Sequence, residues 1–351
     1  DLHSFPTRRS SDLAISALYM GDVLGDLHVR AEKDNTMNIG NMSFGFSRSE
    51  RAYNDSMGGL DNMRFGYSLG DWKLTADYQH YLTDNESRFY GMANPILALA
   101  SRATTGGVSY NLNKWSFGAR GFSGAITDEG LLENDPTISS LNEPMRLGTI
   151  SGAQSEIGWG GEKFGFHTSF GAMRESNTIL GAYATGLMDV GNADTEYVDV
   201  DAFWKVGDML KLRARATFAH TTPDMTSGTI FGMSELDSNA FALGADVGNI
   251  NLGVSMPLAV VRGNMTYDGA SYEIVDAGDG HYDLAISDTG IRNIDMASSR
   301  RELRLNATYR HNFGPFTDGA IGFIYRINPN NTDEFGNESI FMMKVSHLLG
   351  I

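Results

Sequence analysis

Trp72-Lys-Leu-Thr-Ala-Asp-Tyr-Gln-His-Tyr-Leu82 alternates apolar and polar residues with a period of two. Trp72, Leu74, Ala76, Tyr78 and Leu82 fall on one face, and Lys73, Thr75, Asp77 and Gln79 on the other. Successive strand residues point to opposite faces, so one side of this segment is made for an apolar medium and the other for a wet one.

The same rhythm recurs along most of the chain. Strands are expected near 72–82, 102–112, 115–123, 147–158, 163–173, 195–205, 209–219, 237–247, 250–266, 301–311, 318–327 and 338–350, with two earlier ones at 37–47 and 62–70. Connections alternate in length. Short turns fall at 111–114, 158–162, 206–208, 248–249 and 312–315, and long loops at 83–101, 124–146, 174–194, 220–236, 267–300 and 328–337. Short turns at one end and long loops at the other are the pattern of an antiparallel transmembrane β-barrel, here of 12 strands, or 14 with the early pair. Domain limits follow: a non-native leader at 1–13, a junction with a helix or hairpin at 14–70, and an outer-membrane barrel at 71–351.

The faces segregate strand by strand. Leu212, Ala214, Ala216 and Phe218 oppose Lys211, Arg213, Arg215 and Thr217. Val198, Val200, Ala202 and Trp204 oppose Asp199 and Asp201. Leu303, Leu305, Ala307 and Tyr309 oppose Arg304, Asn306, Thr308 and Arg310. An Arg or Lys facing lipid at the midplane costs roughly 2–4 kcal/mol, so these charges are expected to line a lumen. Asp199 and Asp201 precede the strand bearing Arg213 and Arg215, which makes cross-strand pairs the natural arrangement. Trp72, Trp115, Trp159 and Trp204 all stand beside short turns, as an interfacial aromatic girdle requires. The last segment, Phe341 to Ile351, reads as the closing strand, with Phe341, Met343, Val345, Leu349 and Ile351 on one face.

Composition agrees with this reading. The 351 residues include 41 Gly and 11% aromatics, a mix suited to closely packed strands. Mean hydropathy is negative, which a barrel tolerates because only alternate residues meet lipid. There is no run of 18 apolar residues to make a membrane helix. The net charge of −16 argues against nucleic acid, whose phosphates require basic patches. The absence of cysteine removes disulfides and thiolate chemistry.

Catalytic signals are weak. Ile286-Ser-Asp-Thr-Gly-Ile291 has the look of a peptidase aspartate motif, but no companion histidine and serine motifs accompany Asp288, and a turn in a long loop is expected there. Eight histidines are scattered without metal-ligand spacing, and His220 and His281, in expected loops, are the ones placed for chemistry at a lumen rim. No enzyme activity, cofactor or metal is therefore expected of this chain.

Three segments carry a more specific likeness. Ser255-Met-Pro-Leu-Ala-Val-Val-Arg-Gly-Asn-Met-Thr-Tyr267 and Ser299-Arg-Arg-Glu-Leu-Arg-Leu-Asn-Ala-Thr-Tyr309 resemble consecutive segments in the C-terminal region of secreted bacterial subtilisin-like serine peptidases. Met20-Gly-Asp-Val-Leu-Gly25 resembles that family's junction after the peptidase domain. Pro257, Leu258, Gly263, Arg301, Glu302 and Leu303 are the matching positions, whereas Met256, Ala259 and Arg300 depart from the pattern. Asp1 to Leu13 resembles a translated sequencing-adapter read. The resemblance implies an autotransporter-like barrel that translocates and anchors a passenger, a subtilisin-like peptidase absent from this fragment. Its partners would be outer-membrane lipid and lipopolysaccharide, the barrel-assembly machinery and the linked passenger. A stand-alone porin-like channel is the alternative.

Overall fold

The computed structural model describes residues 35–48, 60–80, 94–100, 102–127, 146–182, 190–207, 209–224, 230–278, 281–314, 317–332 and 336–347. The strands are β1 (Asn35–Ile39), β2 (Met42–Arg48), β3 (Leu60–Leu69), β4 (Trp72–His80), β5 (Arg102–Leu112), β6 (Trp115–Thr127), β7 (Arg146–Gly160), β8 (Phe164–Ser176) and β9 (Asn192–Val206). They continue as β10 (Leu210–Asp224), β11 (Ile230–Met233), β12 (Leu236–Val247), β13 (Ile250–Arg262), β14 (Asn264–Gly278), β15 (His281–Asp295), β16 (Leu303–Gly314), β17 (Thr317–Ile327) and β18 (Glu338–His347).

Fifteen of them form one antiparallel sheet in chain order, interrupted only where β11, β14 and β15 leave to make a small sheet of their own. Each strand pairs with the next, so the topology is up-and-down. The short turns gather at one edge. Gly70 and Gly248 take φ near +60° there, the left-handed geometry that a two-residue hairpin turn needs and that glycine adopts without a Cβ clash. The ladders run right to this edge: Asn111 N–H donates to the Asp71 carbonyl at 2.9 Å and Gly160 N–H to the Lys114 carbonyl at 2.8 Å.

The outer face is apolar across the sheet. Exposed residues include Phe65 on β3, Leu74 on β4, Phe117 on β6, Phe170 on β8, Leu243 on β12, Val254 on β13 and Phe323 on β17. On the inner face, buried Ala103, Phe122, Ile150, Met173, Tyr197, Ala219, Ala240 and Leu258 join a single core. Strands as distant in order as β5 and β13 therefore share one interior, and the sheet is curled in the manner of a barrel. Among the described residues, no ladder between β18 and the first strand completes the ring.

The structure refines several expectations. The segment expected as one strand at 37–47 is a hairpin, because Gly40 at φ +58° reverses the chain between Ile39 and Met42. The expected strand at 250–266 ends at Arg262. Gly263 has φ +153°, and a Cβ there would collide with Leu236, so only glycine lets the chain leave the large sheet here. The region 267–300, expected as a loop, is largely the β14–β15 hairpin. Asp288 thus lies in a strand rather than a turn, and His220 and His281 lie in β10 and β15 rather than in loops. Strands of the large sheet also precede Trp72, so the boundary expected at 70/71 falls on a turn inside one continuous sheet.

Candidate functional site

The interior has two storeys. At the turn end it is lined by paired charges. Arg215 Nε donates to Asp199 at 2.8 Å, and the Thr217 hydroxyl donates to the same carboxylate at 2.6 Å. Arg213 Nε donates to Asp246 at 2.9 Å. These residues are brought together by register: Asp201 faces Arg215 and Asp199 faces Thr217 across the β9–β10 ladder. All of Asp199, Asp201, Lys211, Arg213 and Arg215 therefore sit on the inner face. Lys211 is half-buried there, its ammonium 5.0 Å from the Phe203 ring centroid. Arg304 is buried and Arg310 half-buried on the same face of β16.

The row extends further than the sequence suggested. His167 on β8 lies with Nδ1 3.3 Å from Asp201 and Nε2 3.5 Å from Glu156 on β7. Glu156 in turn pairs with Arg120 on β6 at 3.0 Å. Gln154 donates to Glu156, and the Tyr197 hydroxyl donates to Gln154 at 2.6 Å. Tyr197 reaches inward over Gly171, its register partner, where any Cβ would collide with the ring. Alternating charges on facing strands are mutually satisfied, so the row ties strands together and leaves little uncompensated field for steering an ion.

At the loop end the interior is filled with apolar groups. The segment 94–100 folds into it as a short 3-10 turn: Ile96, Leu97, Leu99 and Ala100 are buried, and the Asn94 side chain accepts the Ile96 N–H at 3.0 Å. The segment 177–182 folds in beside it. Its anchor is Glu175, fully buried, whose carboxylate accepts the N–H groups of Leu180 at 2.8 Å and Gly181 at 2.7 Å and the Thr178 hydroxyl at 3.1 Å. Such a carboxylate substitutes for the water that a loop backbone would otherwise bind.

A second charged cluster pins the C-terminal strands. Arg326 and Glu302 are both fully buried, with Arg326 Nε donating to Glu302 at 2.8 Å and Nη1 to Glu338 at 2.7 Å. Arg304 Nη2 donates to Glu302 at 3.2 Å, and the Glu302 N–H donates to Asn331 at 2.9 Å. The two segments that resemble subtilisin-like peptidase C-terminal regions meet here: Arg301 Nη2 donates to the carbonyls of Pro257 at 3.2 Å and Asn239 at 3.1 Å. Those carbonyls flank the register shift between Asn239 and Phe241, where the ladder leaves acceptors to be satisfied by a side chain. Leu258 is buried in the core, and Leu303 opens β16 on its outer face.

The four tryptophans lie on the outer face beside short turns. Trp115 and Trp159 are register partners, and Trp159 is tilted against Phe164 at 5.9 Å and stacked beside Phe166 at 6.5 Å between centroids. Trp204 faces Phe164 across the β8–β9 ladder, and Trp72 lies 4.8 Å from Tyr110. On β9 the apolar outer run extends from Val198 to Val206, nine residues that span about 20 Å at roughly 3.3 Å per residue and a tilt of about 40°. An apolar wall of this height, an aromatic girdle at the turn edge and a polar interior place the chain in the bacterial outer membrane as a barrel-type sheet.

Comparison with known proteins adds structural neighbours only. No family model and no curated protein matches the sequence. Outer-membrane expressed OmpT of Vibrio cholerae is similar with a TM-score of 0.44 and 10% identity, over 89% of this chain and 86% of that one. A porin is similar with a TM-score of 0.41 and 13% identity, over 89% of each chain. A bacterial polysaccharide outer membrane secretin is similar with a TM-score of 0.35 and 11% identity, over 88% of this chain and 85% of that one. The membrane assignment rests on strand pairing and face chemistry.

Proposed function

We propose that the chain is the translocator and membrane anchor of a longer secreted protein whose passenger is a subtilisin-like serine peptidase. One observation carries the choice over a stand-alone porin. The loop-end interior is a packed apolar core that includes Ile96, Leu97, Ile126, Ile150 and Leu180. A diffusion channel needs a continuous wet path, whereas an anchor left in the membrane after export needs a seal. In this reading the passenger crosses before the core assembles, along the charge-lined half of the interior, and any catalysis belongs to the passenger. The likeness of the 255–267 and 299–309 segments to subtilisin-like peptidase C-terminal regions supports the passenger class, and Arg301 holds those segments against each other.

Two measurements test this. In planar bilayers the chain should give no steady open steps, and removal of residues 94–100 should produce them. A reporter peptide fused ahead of Ala14 should reach added protease on intact cells. Steady porin-like steps from the unaltered chain, with no export of the reporter, would establish the channel reading instead.

A further inference from the structure

We propose that a polypeptide in transit is held in extended form against the loop-end edge of β13, in a seam between that strand and residues 296–302. The proposal rests on the translocator reading above. In that reading the passenger crosses before the loop-end core closes, and a chain still crossing at that moment needs a place beside the core.

The wall is joined differently here. The β13–β16 ladder runs from Ile250 to Ser255 and stops, although β13 continues to Arg262. Pro257 follows almost at once, and a residue without an N–H suits a strand edge. The chain leaves the large sheet at Gly263, makes the β14–β15 hairpin, and returns as residues 296–302 along the upper edge of β13. Ser298 N–H donates to the Val260 carbonyl at 2.9 Å, Met296 N–H to the Gly263 carbonyl at 2.9 Å, and Arg301 Nη2 to the Pro257 carbonyl at 3.2 Å. The far side of the returning segment is anchored more firmly. Arg300 N–H donates to the Asn331 carbonyl at 3.2 Å, the Glu302 N–H to the Asn331 side chain at 2.9 Å, and Glu302 is ion-paired with buried Arg326. The seam therefore parts on its β13 side, where separate hydrogen bonds of about 1 kcal/mol each stand in for a ladder.

The inner face leads to this seam. Arg304, Asn306 and Thr308 are buried polar residues at successive inward positions of β16. Ser255 faces Arg304 across the β13–β16 ladder, and Ser238 faces Val260 across β12–β13. The hydroxyls of Thr308, Ser255 and Ser238 are buried with no hydrogen-bond partner among the described residues. They form a polar column that rises from the charged half of the interior, past the apolar core, to the seam. Peptide groups of an extended chain would satisfy both these hydroxyls and the edge of β13, as in the addition of a strand to a sheet edge. The height fits as well. Ala259 faces Asn239, Asn239 faces Phe218, and Phe218 faces Val198, the upper limit of the apolar outer run on β9. The seam thus opens at the top of the belt, toward the loop end.

The chain has no cysteine, so two introduced thiols find only each other within it. Backbones joined by the Ser298–Val260 hydrogen bond lie within disulfide reach. Val260→Cys with Ser298→Cys would be placed in the full chain carrying a reporter peptide ahead of Ala14. A control staple, Thr195→Cys with Thr221→Cys, joins register partners inside the continuous β9–β10 ladder. Heat-modifiable migration confirms that both stapled chains assemble. The seam staple should abolish protease access to the reporter on intact cells, and reductant during growth should restore it, while the control staple exports like the parent. Parent-level export through the closed seam staple would overturn the proposal. Amide exchange of the unaltered protein in mild detergent gives a reading that needs no variant. Met296 and Ser298 should exchange faster than the β13 amides between Ile250 and Ser255, and equal protection would also overturn the seam. A parent chain that exports no reporter would overturn the translocator reading itself.

Discussion

The two ends of β9 obey opposite rules. Near the turns, Asp199 and Asp201 point inward while Val200, Trp204 and Val206 point outward. Near the loops, Ala193 and Tyr197 point inward while Asp194 and Glu196 point outward. β10 repeats the inversion: Arg213 and Arg215 lie inside opposite Leu212 and Phe218, then Ala219 lies inside opposite His220. The alternation is continuous, but the medium on each side changes. Lipid requires an apolar exterior over one stretch, and water permits charge beyond it. The interior follows in complement, because folded loop segments, rather than solvent, fill the upper half.

The comparison is broken most forcefully where charge and complete burial coincide. Arg326→Met should leave Glu302 buried without its main partner and cost about 3–5 kcal/mol in urea unfolding of the reconstituted protein. Adding Glu302→Leu to it should recover much of that loss, since a pair removed together leaves less uncompensated charge. A single variant that unfolds like the parent would mean the cluster is solvated and the upper interior is not a core.

A charge moved onto the belt tests the exterior. Val200→Arg should cost roughly 2–4 kcal/mol and impair heat-modifiable migration, while Glu196→Arg, four residues along the same face, should assemble normally. Equal effects at both positions would place the membrane boundary elsewhere.

Most of the turn-end half could be read from the sequence, and the loop-end half could not. Leu212 and Arg213 declare opposite faces because alternation is a local property and lipid permits one solution. Arg120, Glu156 and His167 carry no such local mark. Their row exists only once β6, β7 and β8 are in register, 36 residues and more along the chain from Arg120 to Glu156. Glu302 and Arg326 are likewise brought together by the β16–β17 ladder. The loop segment 94–100 was hidden differently. Pro95 and its neighbours lack any strand period, and burial of Ile96 and Leu97 depends on a cavity made by distant strands. The hairpin at Gly40 did leave a signal, Gly40-Asn41 where the alternation shifts phase from Met37 and Ile39 to Met42, Phe44 and Phe46, which reading 37–47 as a single strand passed over.

The loop-end interior also predicts a local effect. Glu175→Ala removes the acceptor for Thr178, Leu180 and Gly181, and should cost about 1–3 kcal/mol, with faster hydrogen exchange at the Leu180 and Gly181 amides. Protection at those amides that survives the substitution would show that packing alone, without the carboxylate, holds the segment inside.

The smallest effect belongs to the loop-end exterior and uses the same chemistry as the largest. Arg174 on β8 pairs with Asp194 at 3.6 Å and with Asp224 at 3.9 Å, just as Arg326 pairs with two carboxylates. The difference is water. The Arg174 side chain is 53% exposed and its partners 58% and 64%, whereas Arg326 and Glu302 are 0% exposed. An exposed pair exchanges one well-hydrated arrangement for another and gives up side-chain entropy to hold its geometry, so its net worth is about 0–1 kcal/mol. Arg174→Ala should therefore leave unfolding within about 0.5 kcal/mol of the parent, and the small difference should vanish in high salt. A loss comparable to that of Arg326→Met would mean that the loop-end exterior is covered by something that excludes water, and the two faces of β8 would then no longer differ in the way their residues imply.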